Sequence, residues 1–221
     1  MIKRTRHYCG ITLLLASLMI MVSLSAGLLI DKELLAQITN KFGVNAKDRV
    51  IAWNGLILNN QQLSDAEKLQ MVNNYFNKIN FISDSKHWNK KDYWATPLEF
   101  ITSNGGDCED FSIAKYFTLR ELGVPKERLR LTYVKSLTLN QAHMVLSYFD
   151  TPKSVPLILD NIDKKIKLAS KRSDLVPVYS FNGESLWLAK ERGQGRLMGS
   201  SRKISPWTKM IKRIQSVHMS S

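Results

Sequence analysis

The chain has only two cysteines in 221 residues, Cys9 and Cys108, so no disulfide framework can hold it together. It has no GxxxxGK[ST] loop and no HExxH pair, and Gly193, Gly195 and Gly199 lack dinucleotide-motif spacing. Those absences remove the P-loop, zincin and dinucleotide-binding classes. His7, His87 and His218 are too scattered to form a histidine metal centre, and no internal repeat points to a solenoid or propeller. Acidic residues are few, 19 against 32 Lys and Arg for a formal net charge of +13, which favours anionic partners or surfaces without specifying a fold. At 44% apolar and 23% charged, the chain can build a core and is neither disordered nor fibrous.

Lys3, Arg4 and Arg6 precede an uncharged stretch from Tyr8 to Ile30, the pattern of an export signal. Ser23, Ser25, Ala26 and Gly27 suit a signal peptidase, which sets residues 1–26 as the signal, although about 20 apolar residues also span a bilayer as an uncleaved anchor. Cleavage is the preferred reading, and it lowers the formal charge from +13 to +10. Cys9 is not at the cleavage end of the run, so no lipid anchor is expected. Residues 27–190 then form one domain and residues 191–221 a basic tail, expected to be solvated except for a short amphipathic helix hinted at by Trp207, Met210, Ile211 and Ile214.

The first half of the domain reads as helices. Leu34, Leu35, Ile38 and Phe42, then Val50, Trp53 and Ile57, recur at helical spacing. Ser64 with Glu67 forms a capping box ahead of a helix over 65–79, and Thr96, Pro97 and Glu99 repeat the device before Asn104-Gly105-Gly106. Asp107 caps a further helix that carries Cys108 in its first turn and ends at Gly123. From Leu129 the period becomes two. Strands are expected from Leu129, over 143–149, 157–162 and 176–181, and over 186–188 across an Asn182-Gly183 turn. Helices followed by antiparallel strands give an α+β fold, a helical lobe packed on a sheet lobe.

A thiol in the first turn of a helix faces unpaired N–H groups and the positive end of the dipole, which favour thiolate; an isolated cysteine is otherwise a buried core residue. Gly105 and Gly106 either admit a substrate backbone or merely make the turn. The midpoint of His143 and Asp160 falls between Thr151 and Pro152, inside the expected hairpin turn, so the two side chains should lie opposite or nearly opposite each other on one face. A carboxylate there can fix the imidazole tautomer, as in a nucleophilic triad. Asp107, Glu109 and Asp110 crowd the thiol with negative charge, at about 4 kcal/mol for like charges about 4 Å apart at an effective dielectric of 20. Either they are first-turn carboxylates suited to the dipole, or they hold a hard cation such as calcium.

Asp92-Tyr93-Trp94-Ala95-Thr96-Pro97-Leu98-Glu99-Phe100, then Gly105-Gly106-Asp107-Cys108-Glu109-Asp110, Ala142-His143-Met144-Val145-Leu146 and Asp160-Asn161 together resemble the bacterial transglutaminase-like cysteine proteinases of the periplasm. The similarity runs from about Ala46 to Asp163 and extends towards Trp187. It implies a papain-like α+β fold with Cys108 as nucleophile, His143 as general base and then acid, and Asp160 orienting His143. It further implies calcium at Asp107 and Glu109, with Asp110 a further candidate ligand, and Trp53 beside the site. The resemblance also implies a large surface adhesin as substrate, cut near its N-terminus between small residues such as Ala-Ala so that cells leave a biofilm. It implies an inner-membrane cyclic-di-GMP receptor that sequesters the protease. Two rivals differ in class: acyl transfer to an amine through the same thioester, and a noncatalytic basic binding module. Export argues against nucleic acid as the partner.

Overall fold

The computed structural model describes residues 30–188 and 195–218; the expected signal, residues 1–26, lies outside them. Among the described residues no helix is long and apolar enough to cross a membrane.

The local stop and start signals act where the sequence places them. Helix α1, Lys32–Phe42, begins where the Asp31 carboxylate accepts from the Leu34 N–H at 2.8 Å. Gly43, at φ 84°, breaks it from α2, Val44–Leu58. Ser64 and Glu67 cap α3, Asp65–Phe76, reciprocally, and Thr96 and Glu99 do the same for α5, Pro97–Ser103. Between them lie β1, Asn80–Phe81, and α4, Asp84–His87. Helix α3 therefore ends short of the expected residue 79, because the chain turns to pair β1 in parallel with β2, Gly105–Gly106. Helix α6, Cys108–Glu121, is the central one: Phe111, Ile113, Ala114, Tyr116 and Leu119 are all buried, and a helix apolar around most of its circumference belongs inside.

Strands β3 (Leu129–Ser136), β4 (Gln141–Tyr148), β5 (Leu157–Leu159), β6 (Lys167–Leu168), β7 (Leu175–Phe181), β8 (Ser185–Leu188) and β9 (Arg196–Ser200) form one antiparallel sheet in the order β6-β5-β4-β3-β7-β8-β9. Leu129, Leu131, Met144, Leu146 and Tyr148 join the main core with the helices. Val134, Val145 and Ile158 form a smaller cluster, as a period of two requires. Strand β5 stops at Leu159, earlier than expected, and pairs with β4 only over Leu146–Tyr148. The Gln141–Val145 part of β4 is thereby left without a β5 neighbour, and α6 meets it there.

The expected solvated tail is corrected by the structure. Residues 196–200 add β9 to the sheet, and α7, Ser205–His218, packs on the domain. Trp207 is stacked on Phe117 at 5.7 Å between ring centroids, Met210 is fully buried, and Arg213 hydrogen-bonds the Trp94 carbonyl. The basic residues flanking this apolar stripe conceal it in composition. Trp53 is also reassigned: it is buried in the helical core and donates its ring N–H to Thr118 Oγ1 at 2.8 Å, so it does not line the site.

Candidate active site

Helix α6 starts at Cys108 because the preceding turn is fixed from inside. Asp107 is extended, at φ −107° and ψ −165°. The fully buried Asp110 carboxylate accepts from the Asp107 N–H at 3.3 Å and the Ala95 N–H at 2.7 Å. A side chain at residue 106 would run into Asp110 and into Phe100 Cδ2 at 2.8 Å. Gly106 is therefore required by protein packing, its space taken by Phe100 and Asp110, whereas a side chain at residue 105 would meet the end of the flexible Ile82 side chain. Asp110 is a turn-forming residue with both oxygens engaged.

Cys108 is partly exposed. Its sulfur lies 3.0 Å from Glu109 Oε2, and the Met144 main chain hydrogen-bonds it. Burial pushes the thiol pKa well above its ordinary value, Glu109 and Asp107 add to that shift, and only the Met144 contact opposes it. The charge conflict expected from the sequence is real.

The acidic cluster is larger than the sequence suggested. Ligand atoms of Asp84, Asp92 and Glu109 lie within 4.8 Å of one another, as do those of Asp84, Asp107 and Asp110 and those of Asp107, Cys108 and Glu109. Burial raises Asp84 to about 6 and, with Glu109 next in weight, Asp107 to about 10; burial and Glu109 also raise Asp92. Asp84 Oδ1 and Asp107 Oδ1 are buried without a hydrogen-bond partner. Such oxygens are costly unless something cationic or protic meets them. Asp84 and Asp92 were missed because they come from α4 and the loop after it, distant in sequence from Cys108; only the motif run beginning at Asp92 hinted at one of them.

His143 and Asp160 are almost fully buried and joined by a 2.9 Å contact between Nε2 and Oδ1. The register is offset from the expected one: Leu146 pairs with Leu159, so position 160 falls opposite Val145 and reaches His143 diagonally on the same face. Asp160 is further fixed by the Ile162 N–H at 2.9 Å and Arg172 Nη2 at 2.8 Å. Burial works to raise its pKa, but the His143 contact and charge, the Ile162 N–H and Arg172 together hold it well below the usual carboxylate range. Arg172, itself gripped by Asp174 at 2.8 and 2.9 Å, carried no signal in the sequence. With Nε2 on the carboxylate, Nδ1 is left to exchange a proton. Met144, the residue after His143, contacts the thiol through its main chain, so the Cys108 end of α6 lies against the strand that carries His143.

The family model for bacterial transglutaminase-like cysteine proteinases matches residues 53–189. The chain belongs to this family. No curated protein sequence matches it. Among solved structures, EGTA-treated LapG of Legionella pneumophila is 46% identical, with a TM-score of 0.73 over 82% of this chain and 96% of that one. Calcium-bound LapG from the same organism is 47% identical, with a TM-score of 0.71 over 82% and 98%. The likeness establishes the transglutaminase-like α+β protease fold, and membership of the family makes the chain a cysteine peptidase.

Proposed function

We propose that the protein is an exported, calcium-dependent endopeptidase of the periplasm in which Cys108, His143 and Asp160 form the catalytic triad. The observation that carries this reading is the buried His143–Asp160 contact, together with a thiol in the first turn of α6. His143 Nδ1 takes the Cys108 proton, and the sulfur adds to a peptide carbonyl. The departing amine receives that proton, leaving a thioester that water, deprotonated by the same imidazole, hydrolyses. Asp160 holds the ring orientation and offsets the imidazolium charge.

The acidic cluster fits calcium, a cation that takes several oxygen ligands. The two unpartnered buried oxygens of Asp84 and Asp107, with Asp92 and Glu109 in reach, supply that donor set. Calcium bound there supplies positive charge against the carboxylates that disfavour thiolate. Calcium-bound LapG supports the same assignment here. Family likeness further supports a large surface adhesin as substrate, cut near its N-terminus between small residues in biofilm dispersal, and an inner-membrane cyclic-di-GMP receptor as the sequestering partner.

The test is incubation of the purified protein with the N-terminal region of a co-encoded adhesin, with calcium or EGTA, followed by mass spectrometry. Two fragments from the calcium-loaded protein, and intact substrate with EGTA or with Cys108→Ala, are expected. Cleavage by Cys108→Ala removes the triad assignment, undiminished activity in EGTA removes calcium, and an amide-substituted product assigns acyl transfer instead.

A further inference from the structure

Cys108, Ser112 and Lys115 follow one another at i, i+4 and i+7 on α6, so they share one face of the helix. That face is polar where it meets the sheet. The Cys108 sulfur contacts the Met144 main chain. One turn on, the Ser112 hydroxyl meets the Met144 carbonyl at 3.0 Å while also reaching the Cys108 carbonyl at 2.9 Å. A further turn on, Lys115 Nζ donates to the Asp160 carbonyl at 3.0 Å, Asn73 Oδ1 at 2.9 Å and Asn77 Oδ1 at 2.8 Å. Asn77 in turn donates to the Asp160 carbonyl at 2.9 Å. Ser112 is 2% and Lys115 1% exposed.

Three oxygens surround Lys115 Nζ, none from a carboxylate, so the protonated side chain engages all three of its donors and the neutral one its two. Burying that charge is costly, and an apolar residue of similar volume commonly packs as well or better. Apolar contacts also let a helix slide or turn on a sheet, whereas directional bonds to the main chain at Met144 and Asp160 fix both movements. We propose that Ser112 and Lys115 are positioning residues that hold the nucleophile helix in register with the His143 strand and the Asp160 turn. This rests on reading Cys108, His143 and Asp160 as the triad.

Ser112→Ala and Lys115→Met are compared with Leu69→Ala, a buried α3 residue, as a control for lost stability, all assayed on the adhesin fragment well below melting. A misplacement of the order of 1 Å lowers turnover by about 10- to 100-fold, so kcat should fall by about that factor in Ser112→Ala and Lys115→Met with KM within about twofold. Leu69→Ala should keep both constants. Unchanged kcat in both ladder variants, or an equal loss in Leu69→Ala, overturns the proposal. Should the wild-type protein itself fail to cleave, the triad reading falls separately. The His143 ring N–H resonance, followed by NMR in a Cys108→Ala background, then decides the positioning role: a shift or faster exchange in either ladder variant supports it, and an unaltered signal in both refutes it.

Discussion

Replacing Arg172 with methionine should cost far more stability than an ordinary surface substitution. Arg172 is 5% exposed and Asp160 1%, and removing the guanidinium leaves Asp160 Oδ2 buried without its partner. Breaking a buried pair from one side destabilises by about 3–5 kcal/mol. The Asp174 carboxylate, 36% exposed in its side chain, can return to water and adds little. In a domain of this size about 1 kcal/mol moves Tm by about 2–4 °C, so a fall of about 6–20 °C is expected. The pH dependence has a definite sign. Asp160 is held below its unfolded value, so its contribution is present above about pH 3.9 and is lost as the pH falls through the folded value. The Arg172→Met penalty should therefore be full at neutral pH and shrink in acid, where Asp160 can be neutralised. Urea unfolding followed by tryptophan fluorescence at pH 7 and pH 3.5 measures both quantities. A penalty under about 1 kcal/mol at pH 7, or one that grows as the pH falls, refutes the reasoning.

Calcium should raise the melting temperature of the wild-type protein, by an amount equivalent to about 2.7 kcal/mol at one hundred times its Kd; calorimetry of Asp107→Asn should show most of that increment gone. Trp207→Ala removes an aromatic that is 3% exposed and should destabilise by about 3–5 kcal/mol in denaturant titration, whereas a solvated tail would leave the midpoint unmoved. Burial lowers Lys115 from 10.5 to about 7, so between those values the unfolded chain binds the extra proton and stability rises with pH, by at most about 1.4 kcal/mol per unit. Urea midpoints from pH 7 to pH 9 should climb less in Lys115→Met than in wild type, and parallel profiles would contradict the assignment.

The parts of the fold legible in the sequence are those governed by neighbours along the chain. Helices α3 and α5 announce themselves through capping boxes, and β3 through the alternation of Leu129, Leu131 and Tyr133 with Arg130 and Thr132. The pair β1 and β2 is two residues long on each strand, with two glycines in one of them, so it has no side-chain period to read. The hairpin turn is centred between Pro152 and Lys153, one position beyond the expected centre. Asp160 nevertheless lands on the expected face, because the two-residue shift in pairing preserves strand parity. Asp84, Asp92 and Arg172 escaped because each reaches the site from another element, and a carboxylate or guanidinium in a polar loop looks solvated until its tertiary neighbours are known.

The four consecutive residues Asp107 to Asp110 divide three jobs between them, because Asp107 is the extended cap of α6 and each helical residue after it advances about 100°. Asp110 turns inward to the Ala95 and Asp107 N–H groups, and Cys108 meets the Met144 main chain. Asp107 and Glu109 are left to the Asp84 and Asp92 side. Glu109 stands between two roles, 3.0 Å from the sulfur and within ligand distance of the other carboxylates. Under the proposed calcium binding, the residue that most directly opposes the thiolate, after burial itself, is also one that the metal engages. On that proposal, metal ligands on both sides of the thiol would make its ionisation depend on metal loading through a single helical turn, with no movement of the His143–Asp160 pair required.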